Sequence, residues 1–83
     1  MPQINAAVQN ATSDNQNAHV WDQFAGGRRE VDGSPFALAA GQQSTWFVVN
    51  ADNDGVGNIA YKFDGGPLQV DHEVHDGTVF PMD

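Results

Sequence analysis

Apolar residues along this chain come in short alternating runs, each stopped by Gly, Asp, Asn or Pro. Ile4, Ala6 and Val8 alternate with Asn5, Ala7 and Gln9, which predicts a first strand with one weakly apolar face. The polar run Thr12 to Asn17 then reads as a loop. Ala18 to Ala25 reads as a second strand, with Val20 and Phe24 on one face and His19, Trp21 and Gln23 on the other, stopped by Gly26-Gly27. Asp22 interrupts the apolar face, which marks a sheet edge or a functional carboxylate. Arg28 to Val31 is short and charged, Asp32-Gly33-Ser34-Pro35 is a turn, and Phe36 and Leu38 form a brief strand.

The strongest signal runs from Thr45 to Phe63. Trp46-Phe47-Val48-Val49 is dense in β-formers, the segment from Asp52 to Gly57 is rich in turn formers, and Ile59, Tyr61 and Phe63 alternate with polar neighbours. This pattern predicts a β-hairpin whose second arm presents Ile59, Tyr61 and Phe63 to the core. Leu68, Val70, His72 and Val74 then share one face of a further strand. Asp76-Gly77 predicts another hairpin turn into Thr78-Val79-Phe80, and Pro81, lacking an N–H, marks a strand end or a sheet edge. No window of the chain is both free of turn formers and periodic at 3.6, so long helices are not expected. The fold class that follows is all-β: a small antiparallel β-sandwich or flattened barrel of six to seven short strands, a single domain over 1–83.

Length limits what such a sandwich can hold. At 83 residues it buries only about 60–65% of its unfolded surface. Ile, Leu, Val and Phe supply eighteen residues, enough for a thin core, and some apolar surface is expected to be buried between subunits of a homo-oligomer. Cysteine is absent, which excludes disulfides and thiol chemistry. No run approaches the roughly 20 apolar residues of a membrane helix, and the start of the chain has no signal-peptide pattern, so a soluble chain without membrane insertion is expected. With Arg28, Arg29 and Lys62 its only Lys or Arg residues and a formal charge of -8, the chain is a poor partner for nucleic acid.

Four features bear on chemistry. Asn50 to Asn58 places oxygen-bearing side chains at alternate positions, with Asp52 and Asp54 as candidate Ca²⁺ ligands. The twelfth position of such a loop is Tyr61 rather than Glu, so the segment reads first as a solvated turn. His72 and His75 lie three apart among carboxylates, a spacing that puts them on opposite faces of a strand; His72 reads as partly buried and His75 as a surface residue. Ser13, Ser34 and Ser44 fall in no nucleophile pattern, and no enzyme is expected.

The fourth feature is the pair Trp21 and Trp46 among polar residues. An indole stacks on the apolar face of a sugar while Asp22, Gln23, Asn50 and Asn58 supply hydrogen bonds, so a non-catalytic carbohydrate-binding protein is the leading expectation. Trp21, facing away from Val20, is the preferred contact. Trp46, which shares its face with Val48, reads more as a core residue. Two other expectations compete: an acidic inhibitor or adaptor bound to a basic protein partner, and a Ca²⁺-dependent binding module.

Overall fold

The computed structural model describes residues 2–83. Eight strands follow one another along it: β1 (Gln3–Asn10), β2 (Gln16–Asp22), β3 (Arg29–Glu30), β4 (Phe36–Leu38), β5 (Phe47–Asn50), β6 (Gly57–Phe63), β7 (Gln69–Val74) and β8 (Thr78–Met82). They build two sheets. One has three strands in the order β5-β1-β8; the other has the order β3-β2-β6-β7, with β4 also paired to β2. The inward sides of both sheets meet in one core, where Ile4, Val8, Phe47, Val49 and Met82 from the first pack with Val20, Leu38, Ile59 and Val74 from the second. The chain is thus the small β-sandwich its alternation predicts, with one strand more than the six or seven expected. One pair, β1 with β8, is parallel rather than antiparallel.

Period-two alternation places most faces correctly. Ile59 is fully buried, and Tyr61 and Phe63 pack against the core from the same side of β6. Pro81 lies on β8, an edge strand, where its missing N–H costs no ladder bond.

The pairing of strands differs from expectation in two places. Residues 45–63 are not a hairpin: β5 pairs with β1 in one sheet, β6 pairs with β2 in the other, and a single bridge, Ala51 to Gly57, joins their ends. The turn chemistry is as expected at the base, with Asp52 N–H donating to the Val56 carbonyl (3.0 Å) and Gly55 in the left-handed region. Beyond it the strands diverge so that Phe47 and Ile59 reach one core from opposite layers. Gly57 permits the crossover, because a Cβ there would meet the Ile4 Cδ1 at 3.1 Å and the Val74 Cγ2 at 3.3 Å. Likewise the turn at Asp76-Gly77 does not close a hairpin, since β7 belongs to the larger sheet and β8 to the smaller.

Two strands also shift locally. The second begins at Gln16 and ends at Asp22, so Phe24 does not continue Val20's face but enters a single 3-10 turn, Phe24–Gly26. In β7 the expected face Leu68-Val70-His72-Val74 is broken by a register shift opposite Ile59 and Tyr61, where Asp71 has φ 59. His72 and Val74 point inward; Leu68 and Val70 stay exposed.

Candidate functional site

The polar residues expected around Trp21 separate when the sheets form. Asp22 points into the sandwich and is buried. Its Oδ1 accepts the Phe24 N–H at 3.0 Å and its Oδ2 accepts the Asn50 N–H at 3.0 Å, with the Arg29 Nη2 3.6 Å away. Asp22 therefore ties the two sheets together and has no free oxygen for a ligand. Gln23 Oε1 accepts the Asp71 N–H at 2.9 Å, and Asn58 Oδ1 is buried without a partner. The Asn50 side chain belongs to the other sheet, where its Oδ1 accepts from Gln3 Nε2 at 3.3 Å. Trp21 does face outward, opposite Ala60, which is fully buried in register with it. Its ring is half-buried and stacked on His19, the centroids 5.8 Å apart.

The Asp52 loop is held from within. Asp52 Oδ1 accepts the N–H groups of Asp54 (2.9 Å) and Val56 (3.0 Å), so this carboxylate shapes the turn. Asp52 also lines an open depression with Gln23, Asn58, Asp71 and Glu73. Among the described residues, no three His, Asp or Glu side chains are placed to hold one metal ion.

The histidines take separate structural positions. His72 packs on Phe80 with its ring tilted by 39°, the centroids 3.9 Å apart, and Tyr61 lies edge-on at 5.8 Å; burial pushes its pKa below the usual imidazole value, while Glu73 partly opposes the shift. His75 is exposed and its N–H donates to Thr78 Oγ1 at 3.1 Å. His19 lies between Asp64 and Glu30, and its hydrogen bond, with another from Asn17, holds the Asp64 carboxyl below its ordinary value. Ser34 Oγ donates to Glu30 at 2.7 Å, and Ser44 Oγ donates to the Thr45 carbonyl at 2.9 Å. Among the described residues, no hydrogen bond joins a serine hydroxyl to an imidazole.

Of the two indoles, Trp21 faces away from the core as expected, whereas Trp46 does not take the core position expected of it. Phe47 and Val49 are the inward residues of β5, so Trp46 and Val48 face solvent. Trp46 is 52% exposed and stands on the outer side of the three-stranded sheet. That sheet is chemically unlike the rest of the molecule: in a chain of charge -8, no residue of β1, β5 or β8 is charged. Its outer side instead carries amides, from Gln3, Asn5 and Asn50, between the exposed Val48 and Val79.

No family model matches the chain, and no curated protein or solved structure is significantly similar to it.

A carboxylate, Asp76, stands beside Trp46 at the end of this uncharged face. Trp46, Asn5, Asp76 and Gly77 line one open depression. Asp76 Oδ1 accepts the Asn5 N–H at 2.8 Å, and the Gly77 N–H donates to the Asn5 carbonyl at 2.8 Å, so the turn before β8 is fastened to β1. One carboxylate oxygen is thereby fixed, and the residue itself is exposed. The sequence offers Asp76 only as a turn residue near His75 and Asn5 only as a strand residue, neither as a contact beside an indole. They are 71 positions apart, and only the parallel pairing of β1 with β8 brings them together. The arrangement offers a flat apolar platform, an amide and an oriented carboxylate.

Proposed function

We propose that this chain is a non-catalytic carbohydrate-binding module whose contact surface is the outer face of the three-stranded sheet, centred on Trp46. The observation that carries the reading is the exposed indole on a sheet without charge, beside Asn5 and Asp76. An indole covers the apolar face of a pyranose ring, and amides and carboxylates at its rim accept and donate hydrogen bonds to ring hydroxyls. Trp21 is less suited, because His19 already lies against it. The test is a glycan array followed by calorimetry on Trp46→Ala and Trp21→Ala. Loss of a central aromatic anchor costs about 2 kcal/mol or more, roughly thirtyfold in affinity. Trp46→Ala is expected to lose that much and Trp21→Ala little; the opposite order, or an array without signal, overturns the reading.

The same face supports a second reading. Two chains of net charge -8 repel each other least where neither carries charge, so self-association through Trp46, Val48 and Val79 would give the homo-oligomer that a thin core favours. Light scattering separates the two: a dimer dispersed by Trp46→Ala supports self-association, and a monomer at all concentrations excludes it. Binding of a basic protein would weaken steeply with salt, and a Ca²⁺-dependent module would melt higher with added Ca²⁺.

A further inference from the structure

We infer that the sugar recognised at Trp46 carries a protonated amine, as in a polymer of glucosamine, and that Asp76 is the residue that reads it. This rests on the carbohydrate reading and specifies the ligand class of the same site. Asp76 lines the depression with Trp46, and its Oδ1 is fixed by the Asn5 N–H at 2.8 Å. Among the described residues, no Lys, Arg or His side chain is within ion-pair distance of it. The carboxylate is therefore oriented by the backbone and, among the described residues, has no ion-pair partner. A ring stacked on the indole would present its substituents at that oxygen, where an ammonium makes a charge-assisted hydrogen bond that a hydroxyl or an acetamide cannot match. The rest of the molecule acts in the same direction. The charge of -8 raises the local concentration of a polycation and repels uronic or sulfated sugars, while the uncharged strands leave the platform open to ring stacking.

The experiment titrates the full chain with hexamers of glucosamine, N-acetylglucosamine and glucose at mildly acidic pH, in low and high salt. Glucosamine hexamer is expected to bind roughly tenfold or more tighter than the other two, since a charge-assisted hydrogen bond contributes about that much. The preference is expected to shrink on going from about 0.02 M to about 0.5 M salt, as the screening length falls. Asp76→Asn keeps an acceptor for the Asn5 N–H, so it is expected to melt like the wild type and yet, in high salt where the attraction of the net charge is screened, bind all three hexamers equally. Equal binding of the three by the wild type, lost in Trp46→Ala, overturns the role of Asp76 and leaves the carbohydrate reading standing. Binding of none of the three overturns the inference, and a silent glycan array beside it overturns the carbohydrate reading as well. Binding of polylysine without glucosamine hexamer also overturns the inference, in favour of a basic protein partner.

Discussion

Replacing Asp22 by Ala is expected to cost this protein close to half its stability without touching the binding face. The carboxylate is buried, and its two oxygens accept N–H groups from Phe24 in the turn after its own strand and Asn50 on the opposite sheet, both at 3.0 Å. Hydrogen bonds to a charged acceptor contribute about 1.5–3 kcal/mol each, and removing the acceptor strands the donors. The expected loss is therefore about 3–5 kcal/mol, against roughly 4–12 kcal/mol available to a chain of this length. In a domain of this size that lowers Tm by roughly 15–30 °C. Arg29, whose side chain is 59% exposed with its Nη2 3.6 Å from Asp22, contributes little of this, and Arg29→Ala is expected to cost about 1 kcal/mol or less. Urea unfolding followed by circular dichroism gives the difference directly, read beside sugar affinity of the folded fraction. If Asp22→Ala unfolds within about 0.5 kcal/mol of the wild type, or if it stays folded and loses sugar binding, Asp22 is a ligand and the inter-sheet tie is wrong.

Packing supplies one further prediction and titration two. Gly57→Ala places a Cβ 3.1 Å from the Ile4 Cδ1 and 3.3 Å from both the Asn50 carbonyl oxygen and the Val74 Cγ2, and is expected to cost about 1–3 kcal/mol in urea unfolding; an unchanged midpoint would mean the sheets are not this close at the crossover. Because burial lowers the pKa of His72 in the folded state, the unfolded chain binds its proton more readily, so the contribution is present above about pH 6.5 and is lost as pH falls below it; melting curves for His72→Gln are expected to decline less over that range than those of the wild type. Asp64, also lowered in the folded state, adds a second loss below about pH 4, which Asp64→Asn should remove.

The faces of strands were legible in the sequence where one phase of the alternation was clearly more apolar than the other. Ile59, Tyr61 and Phe63 against Ala60 and Lys62 leave no ambiguity. Trp46-Phe47-Val48-Val49 is apolar in both phases, so nothing local says which pair faces the core, and the exposure of Trp46 is not readable from it. Partner choice was not legible at all. The turn residues from Asp52 to Gly55 serve a hairpin and an arch between sheets alike, and the parallel pairing of β1 with β8 depends on contacts far apart in sequence. The break in β7 has a faint signal, since Asp tolerates the left-handed conformation found at Asp71, but many Asp residues lie in this chain and most do not adopt it. The depression at Trp46 was half visible, with the indole noticed and Asn5 and Asp76 invisible until the sheet joined them.

The most direct test of the binding face uses the two indoles as reporters. Trp21→Phe leaves Trp46 as the lone emitter and Trp46→Phe leaves Trp21. Each protein is titrated with the hexamers of glucosamine, N-acetylglucosamine and glucose while indole emission is recorded. Saturable quenching or a blue shift is expected with at least one hexamer in the protein that retains Trp46, and a flat response in the protein that retains Trp21. A response carried by Trp21 alone would contradict the placement of the site on the uncharged sheet.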